Sequence, residues 1–312
     1  MTLHINTPLL RSTAMSRADG SQIWLKMEAL QPSGSFKIRG VGDACEIHLG
    51  QGKKSFVSSS GGNAGLAVAY AGRQLGAHVT VVVPQTTTDK VKELIRQEQA
   101  ELIVHGKSWD EAHALALELV TPGSVMIHPF DDPLLWEGHA TMVDELAAVS
   151  FRPDLVVVSV GGGGLLAGVL TGLTRNGWSQ VPIIAVETTG TASFNAAMAA
   201  KRVVQIAKVD GVATSLGARQ VSVGAFRLSQ KHNVRSVLVS DLQAVRACQR
   251  FFEHHGVLVE PACGAALAVG EDPSIHQRPH ENVLIIVCGG STSNASMMAH
   301  WEKTLSQSQQ ED

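Results

Sequence analysis

The stretch 155–173, LVVVSVGGGGLLAGVLTGL, decides the fold class. Its first six residues form a continuous apolar, β-branched run, which is typical of a strand buried on both faces in a parallel sheet. An apolar segment with helical spacing ends the stretch, and between the two lie Gly161, Gly162, Gly163 and Gly164. Four adjacent glycines lose much chain entropy on folding, so a simple turn is a weak explanation for them. The stretch therefore predicts a strand, an anion-binding loop and a helix.

The same alternation continues along the chain. Short apolar runs predict further strands in SFVSSS, HVTVVVP, AELIVHG, SVMIHP, VPIIAVE, RSVLVS and NVLIIVCGG. Helical spacing lies between them in GNAGLAVAYAGRQLG, TDKVKELIRQEQ, SWDEAHALALELV and DLQAVRACQRFFEHHG. This order predicts an α/β fold with open, mostly parallel, twisted sheets flanked by helices on both sides.

Composition excludes several classes of function. A chain of 312 residues that is 44% hydrophobic can bury a large core, and its length suits two lobes. The net charge of −3 comes from interspersed charges, so we expect no nucleic-acid partner. We see no signal-peptide pattern and no apolar run of about 18 residues, which predicts a cytoplasmic protein with no membrane contact. The four cysteines have no C-x-x-C spacing, so neither a zinc site nor a disulfide framework is indicated.

Two more strand ends carry candidate ligand groups. In VSSSGGNAGLAVAYAG (57–72), glycines and the start of a helix favour binding of a carboxylate or a phosphate near Ser60, Gly61 and Asn63. The alternative is that Ser60 or Asn63 only caps the helix. In NVLIIVCGGSTSN, Cys288 on its own predicts a core residue, but its place at a strand end favours a ligand site. Cys263 is predicted to be a packing residue.

Lys37 stands out in PSGSFKIRG (32–40), because Phe36 and Ile38 flank it. Such a lysine must either reach out to water or take an unusual protonation state. A Rossmann cofactor is a second-best explanation of the glycine loops, since G-x-G-x-x-G fits loosely and Glu187 lies somewhat too far along the chain to hold a ribose. A non-catalytic nucleotide- or amino-acid-binding protein is the alternative from another class.

Taken in order, SGSFKIRG, SSSGGNAG, SVGGGGLLAG and IVCGG resemble the fold-type II pyridoxal-phosphate (PLP) enzymes, whose two-domain fold is that of the tryptophan synthase β chain. The sequence is most similar to the serine dehydratase group of L-serine/L-threonine ammonia-lyases, from about Thr7 to Gly290. HPFDDPLLWEGHAT, GVATSLGA and LVEPACGAALA resemble further stretches of that group. The resemblance implies a PLP-dependent lyase that forms pyruvate and ammonia from L-serine and 2-oxobutanoate from L-threonine. Threonine dehydratase and amino-acid racemase, such as serine racemase, remain alternatives within the fold.

The resemblance also implies roles for individual residues. Lys37 matches the Schiff-base lysine, which then takes the Cα proton, and apolar flanks favour its neutral amine. A neutral thiol at Cys288, facing the pyridine nitrogen, favours elimination over racemisation or transamination. The remaining matches are Phe36 against the ring, Asn63 at the 3-hydroxyl, the glycine loop with Leu165 at the phosphate, Gly289 beside Cys288, and Ser60, Gly61 and Asn63 around the substrate.

Three further expectations follow from the resemblance. A monovalent cation such as K⁺ is implied, with Glu187 and the carbonyls of Gly161, Thr191, Leu216 and Ala218 as ligands; a salt bridge is the alternative role for Glu187. Gly61 departs from the alanine that is usual in the more active serine dehydratases, which bears on rate and on the serine-to-threonine preference. We expect a homodimer, a large PLP-binding domain of residues 1–37 and 133–312, a small domain of residues 38–132, and a catabolic role without a regulatory domain.

Overall fold

A computed structural model describes residues 2–16, 20–272 and 281–311 of the chain. Its larger sheet has six strands in the order β1-β2-β10-β7-β8-β9. All neighbouring strands are parallel except the β1–β2 pair, which is antiparallel. The strands are Leu9–Ser12 (β1), Gln22–Lys26 (β2), Leu155–Ser159 (β7), Ile183–Thr188 (β8), Val234–Val239 (β9) and Asn282–Ile286 (β10).

The smaller sheet has four strands, all parallel, in the order β5-β4-β3-β6. Its strands are Ser55–Ser58 (β3), His78–Val83 (β4), Glu101–Val104 (β5) and Ser124–Met126 (β6). Each sheet has its own apolar core. Ile38, Phe56 and Val81 belong to the core of the smaller sheet, whereas Val157 and Ile285 belong to that of the larger one.

Eleven α-helices and three short 3-10 helices connect the strands in the described part of the chain. The α-helices are Lys37–Gly50 (α1), Asn63–Leu75 (α2), Asp89–Gln97 (α3), Trp109–Glu118 (α4), Pro133–Ala148 (α5), Gly164–Arg175 (α6), Ser193–Ala200 (α7), Val223–Ser229 (α8), Asp241–His255 (α9), Pro261–Glu271 (α10) and Ala295–Glu311 (α11). The 3-10 helices are Glu28–Leu30, Thr189–Thr191 and Thr214–Leu216. Within the described ranges, none of the helices has the length and apolar character needed to cross a bilayer.

The predicted α/β fold with parallel sheets flanked by helices is confirmed. The sequence analysis missed β1 and β2, which pair at one edge of the larger sheet. Two of the four residues of β1 are exposed, and β2 combines buried and half-buried positions, so neither forms the continuous apolar run that marks the central strands. Two predicted runs, β5 and β9, lie at sheet edges and are only partly buried, because each has a strand neighbour on one side alone.

Helices α1 and α5 cross closely and fix the start of α1. A Cβ atom on Gly138 would lie 2.6 Å from the Cα atom of Gly40, so the two backbones touch. Just after the start of α1, the fully buried Arg39 guanidinium pairs with Glu28 at 2.7 Å and with Glu145 at 2.6 Å. Removing one partner from such a buried ion pair is strongly unfavourable, which holds this turn in place. Lys37 therefore begins a rigidly held helix.

Candidate active site

Lys37 lies where three segments meet. Its side chain is half-buried, its Nζ atom donates a hydrogen bond to the Pro129 carbonyl at 2.5 Å, and the same atom lies 5.1 Å from the centroid of the Phe36 ring. Burial of the amine lowers the pKa of Lys37 to about 8, although Glu260 opposes the shift. A substantial fraction of the amine is therefore neutral near neutral pH and can act as a nucleophile.

Backbone pairing brings Lys37 to the end of β10. The Phe36 N–H donates to the Cys288 carbonyl at 2.9 Å, and Gly289 forms an antiparallel bridge with Ser35. Cys288 is buried. Its thiol has a pKa well above the usual value, mainly because of a hydrogen bond with Cys263 and next because of burial. The thiol is therefore neutral. Cys263, predicted to be a packing residue, is buried and also contacts this thiol.

The glycine loop between β7 and α6 is closely packed against its neighbours. A Cβ atom on Gly162 would lie 2.3 Å from the ring of Phe130, and one on Gly161 would lie 2.9 Å from the Cα atom of Leu216. Gly163 precedes the helix with φ of +95°, a conformation that favours glycine. Leu165 is buried in the first turn of α6, whose free N–H groups suit an anion. Because Phe130 follows Pro129, one short segment connects this loop to the Lys37 amine.

The loop between β3 and α2 carries the predicted substrate residues. A Cβ atom on Gly65 would lie 1.9 Å from the Ser60 carbonyl, so the loop folds back tightly onto the helix. The residue that precedes α2 is Gly62, and no side chain caps the helix. The alternative of a capping role for Ser60 or Asn63 is therefore wrong, and the N–H groups at this helix start remain available to a carboxylate.

Gly61 has a specific neighbour. A Cβ atom on this residue would lie 2.4 Å from the Thr87 hydroxyl oxygen. An alanine here would require Thr87 to move. Gly61 stands where the more active serine dehydratases usually have an alanine, and the Thr87 side chain fills the space of the missing methyl group.

Asn63 connects the two sheets at the site. Its side chain is buried, and its Nδ2 atom donates to Glu260 at 2.6 Å. The Ser291 hydroxyl donates to Asn63 Oδ1 at 2.5 Å. The same Nδ2 atom would lie 3.5 Å from a Cβ atom on Gly289, which places the amide beside the Cys288 strand end.

Two of the predicted cation ligands, Gly161 and Glu187, lie near the ends of neighbouring strands. Gly161 lies two residues after the end of β7, and Glu187 is the second-last residue of the neighbouring strand β8, with Ser159 paired to Val186. Glu187 is fully buried, and its two oxygens accept the N–H groups of Phe194 and Asn195, both at 2.7 Å. Within residues 2–16, 20–272 and 281–311, Glu187 forms no salt bridge, so the alternative prediction of a salt bridge is wrong for the described part of the chain. Burial raises the pKa of Glu187 to about 7, against the opposing effect of these hydrogen bonds.

The structure thus brings together the predicted residues in two groups. Lys37, Phe36, Asn63, Cys288 and Gly289 form one group, and the glycine loop joins it through Phe130. The second group is Gly161 with Leu216, which pack together, and Glu187 on the strand β8 beside β7. Sequence reasoning missed the roles of Pro129, Phe130, Glu260 and Ser291. The stretches HPFDDPLLWEGHAT and LVEPACGAALA, quoted above, contained the first three of them without indicating which side chains enter the site.

A lysine of lowered pKa that is connected through Pro129 and Phe130 to a glycine loop, on two mostly parallel sheets, is typical of enzymes that hold a phosphorylated carbonyl cofactor. The family model described as "Pyridoxal-phosphate dependent enzyme" matches residues 1–289, and the chain belongs to this family. It is 46% identical to the "L-serine dehydratase/L-threonine deaminase" of Mus musculus, with 95% of this chain and 94% of that protein covered. It is 45% identical to the "Serine dehydratase-like" protein of Homo sapiens, with 94% and 92% covered.

A solved structure gives a similar picture. The fungal L-serine ammonia-lyase from Rhizomucor miehei superimposes with a TM-score of 0.92 at 36% sequence identity, covering 97% of this chain and 99% of that one. The prediction of a fold-type II PLP enzyme of the serine dehydratase group is confirmed by these similarities.

Proposed function

We propose that the protein is a PLP-dependent L-serine ammonia-lyase that forms pyruvate and ammonia, and that it also converts L-threonine to 2-oxobutanoate. The observation that carries the proposal is the position of Lys37. Its amine lies between the Cys288 strand end and the segment that packs on the glycine loop, with a pKa of about 8. The similarity to proteins named L-serine dehydratase and L-serine ammonia-lyase supports the choice of reaction.

The residues present fit the cofactor. Gly161 to Gly164 have no side chains that could cover the backbone N–H groups next to the first turn of α6, as a phosphate site requires. Leu165 contributes its N–H group. Phe36 offers a ring face, Asn63 an amide, and Cys288 with Gly289 a strand end. Bound PLP supplies an electron sink that makes the Cα proton of an amino acid acidic.

The protein's own residues then determine which reaction follows. Lys37 would hold the cofactor through Nζ, and the same atom would accept the Cα proton of the substrate. Ser60, Gly61 and Asn63, with the N–H groups at the start of α2, bind and orient the substrate carboxylate. Cys288 would lie at the pyridine nitrogen of bound PLP, where its neutral thiol would offer no carboxylate partner and would favour departure of the β-hydroxyl over racemisation.

We also propose a K⁺ site at Glu187 and the carbonyls of Gly161, Thr191, Leu216 and Ala218. Each oxygen of the fully buried Glu187 carboxylate accepts one backbone N–H group and has a second lone-pair site, which a hard cation can use. The Leu216 carbonyl accepts the Ala218 N–H at 2.8 Å and retains a second lone pair. A cation here would hold the base of the glycine loop.

The wider assignments rest on the same family membership. We propose a homodimer in the cytoplasm, with a large cofactor-binding domain of residues 1–37 and 133–312 and a small domain of residues 38–132. The separate apolar cores of the two sheets support this division. Sedimentation of the purified protein tests the dimer.

The test of function is to supply purified protein with PLP, K⁺ and L-serine and to follow pyruvate. We expect an absorption band from lysine-linked PLP and pyruvate formation, both abolished in Lys37→Ala. Lys54→Ala is the matched control, because this exposed lysine precedes β3 at the end of the sheet away from the site. No band after addition of PLP to the wild type would contradict the proposal, and so would retained pyruvate formation in Lys37→Ala.

Substrate choice and reaction type need a second measurement. Values of kcat/KM for L-serine and L-threonine define the preference, and loss of optical activity followed beside keto-acid release separates elimination from racemisation. We expect keto acid to appear as fast as optical activity is lost. Faster loss of optical activity indicates a racemase.

A further inference from the structure

Glu260 is a buried carboxylate in the site to which the proposed reaction assigns no role. The residue is 2% exposed and directly precedes α10, and burial raises the pKa of its carboxyl group. Its N–H bonds to the Gly289 carbonyl at 3.2 Å, which ties it to the Cys288 strand end. A carboxylate is costly to bury, so its hydrogen-bond partners indicate what it does.

Those partners do not include the helix that Glu260 precedes. Its side chain makes no capping hydrogen bond to α10, so the carboxylate has no role in stabilising the helix start. It accepts hydrogen bonds from Asn63 Nδ2 and from the Thr292 hydroxyl instead. The first of these partners comes from α2, beside the smaller sheet, and is a proposed ligand of both cofactor and substrate.

The chemistry of these groups fixes the orientation of the Asn63 amide. Both oxygens of Glu260 accept hydrogen bonds, one from Asn63 Nδ2 and the other from Thr292, so the NH₂ end of the amide faces Glu260. The Ser291 hydroxyl occupies the Oδ1 end. Asn63 Nδ2 carries two hydrogens, and Glu260 takes one. The second remains available on the side of the amide that lies beside the Gly289 backbone.

We propose that Glu260 is a positioning residue that locks the Asn63 amide in the orientation needed to donate its second Nδ2 hydrogen to the ring oxygen of the cofactor. The inference rests on the proposed function, because it requires PLP in this site. Without Glu260, the amide can rotate and present its carbonyl to an oxygen atom, which exchanges a hydrogen bond for a repulsion.

The test is a double-mutant cycle between Glu260 and Asn63 with PLP affinity as the readout. Apoenzyme is titrated with PLP for the wild type, Glu260→Ala, Asn63→Ala and the double variant, and the absorption spectrum of each complex is recorded. We expect Glu260→Ala to weaken PLP affinity about tenfold and to shift the absorption band, as loss of a hydrogen bond to a ring substituent does. In the Asn63→Ala background the same substitution should change affinity less than about twofold.

Glu260→Gln keeps the proposal testable if the alanine variant does not fold. Glutamine has the same shape but offers both a donor and an acceptor, so it no longer fixes the amide of Asn63. We expect an intermediate affinity and an intermediate band position, at an unchanged melting temperature. Wild-type affinity and spectrum in both Glu260 variants would overturn the inference, as would equal losses in the presence and absence of Asn63. A wild type that binds no PLP refutes the proposed function instead.

Discussion

At the scale of single residues, Lys37 shows how burial creates reactivity. Exposed lysines have a pKa near 10.4, so few are neutral at pH 7. Here the amine lies against the Pro129 carbonyl and the Phe36 ring, and its pKa is about 8. From the sequence alone, a lysine between Phe36 and Ile38 could either reach out to water or take an unusual protonation state. The burial of the amine and its lowered pKa favour the second possibility.

This pKa predicts how cofactor loading depends on pH. Only the neutral amine attacks a carbonyl, so its concentration rises about tenfold per pH unit below the pKa and levels off above it. We expect the rate of PLP loading into apoenzyme to rise with pH and to level off near pH 8. Stopped-flow absorbance measures this rate. A rate that keeps rising to about pH 10 would mean that the amine is not perturbed.

Glu187 provides a second test at this scale. If K⁺ binds at its carboxylate, the cation stabilises the folded protein, by about 2.7 kcal/mol when its concentration is 100 times Kd. We expect KCl to raise the melting temperature more than LiCl at equal ionic strength, and Glu187→Gln to remove the difference.

The K⁺ effect should also depend on pH, with a defined sign. The folded pKa of Glu187, about 7, lies above its usual value, so ionisation of the buried group destabilises the folded state as pH rises toward 7. A cation offsets this cost only when the group is charged. Stabilisation by K⁺ should therefore be greater at pH 8 than at pH 6. Equal stabilisation at both values, or in Glu187→Gln, would contradict the site.

At the scale of elements, the strand–loop–helix unit around the glycine loop could be predicted, but the reason for one of its glycines could not. The chain entropy that four adjacent glycines lose on folding indicated that the loop lacks side chains so that an anion can approach its backbone. The structure adds that Gly162 is required by the Phe130 ring, which arrives from a segment about 30 residues earlier in the chain. Contacts between segments distant in sequence leave no local pattern, and the Glu260–Asn63 bond is of the same kind.

A substitution in this loop tests the contact. Gly162→Ala places a methyl group within 2.4 Å of three Phe130 ring atoms, so we expect unfolding free energy to fall by about 1–3 kcal/mol, together with PLP affinity. Gly50→Ala is the control, because a Cβ atom there meets nothing within 4 Å and alanine favours a helix. Denaturant melts compare the variants.

The companion variant Phe130→Leu should recover part of the loss in the Gly162→Ala background, because a smaller side chain relieves the clash. Full stability of Gly162→Ala alone would contradict the packing described for this loop.

At the scale of the whole molecule, the sequence analysis correctly predicted the fold class because the central parallel strands are buried on both faces. β7 and β8 are buried along their entire length, and each begins with four consecutive apolar residues. The β1–β2 edge was missed because an antiparallel pair at the edge does not need such a run. Which strands share a sheet depends on contacts across the chain, as does the meeting of Lys37 with Cys288 and the glycine loop.

The central claim is that Lys37 is the residue that holds the cofactor of this enzyme. Borohydride reduction of the PLP-loaded protein, followed by peptide mass spectrometry, locates the modified lysine directly. The account predicts a single phosphopyridoxyl group on the peptide that contains Lys37. The fraction of this peptide that is modified should equal the fraction of activity that is lost on reduction. Modification of another lysine at full loss of activity, with Lys37 unmodified, would contradict it.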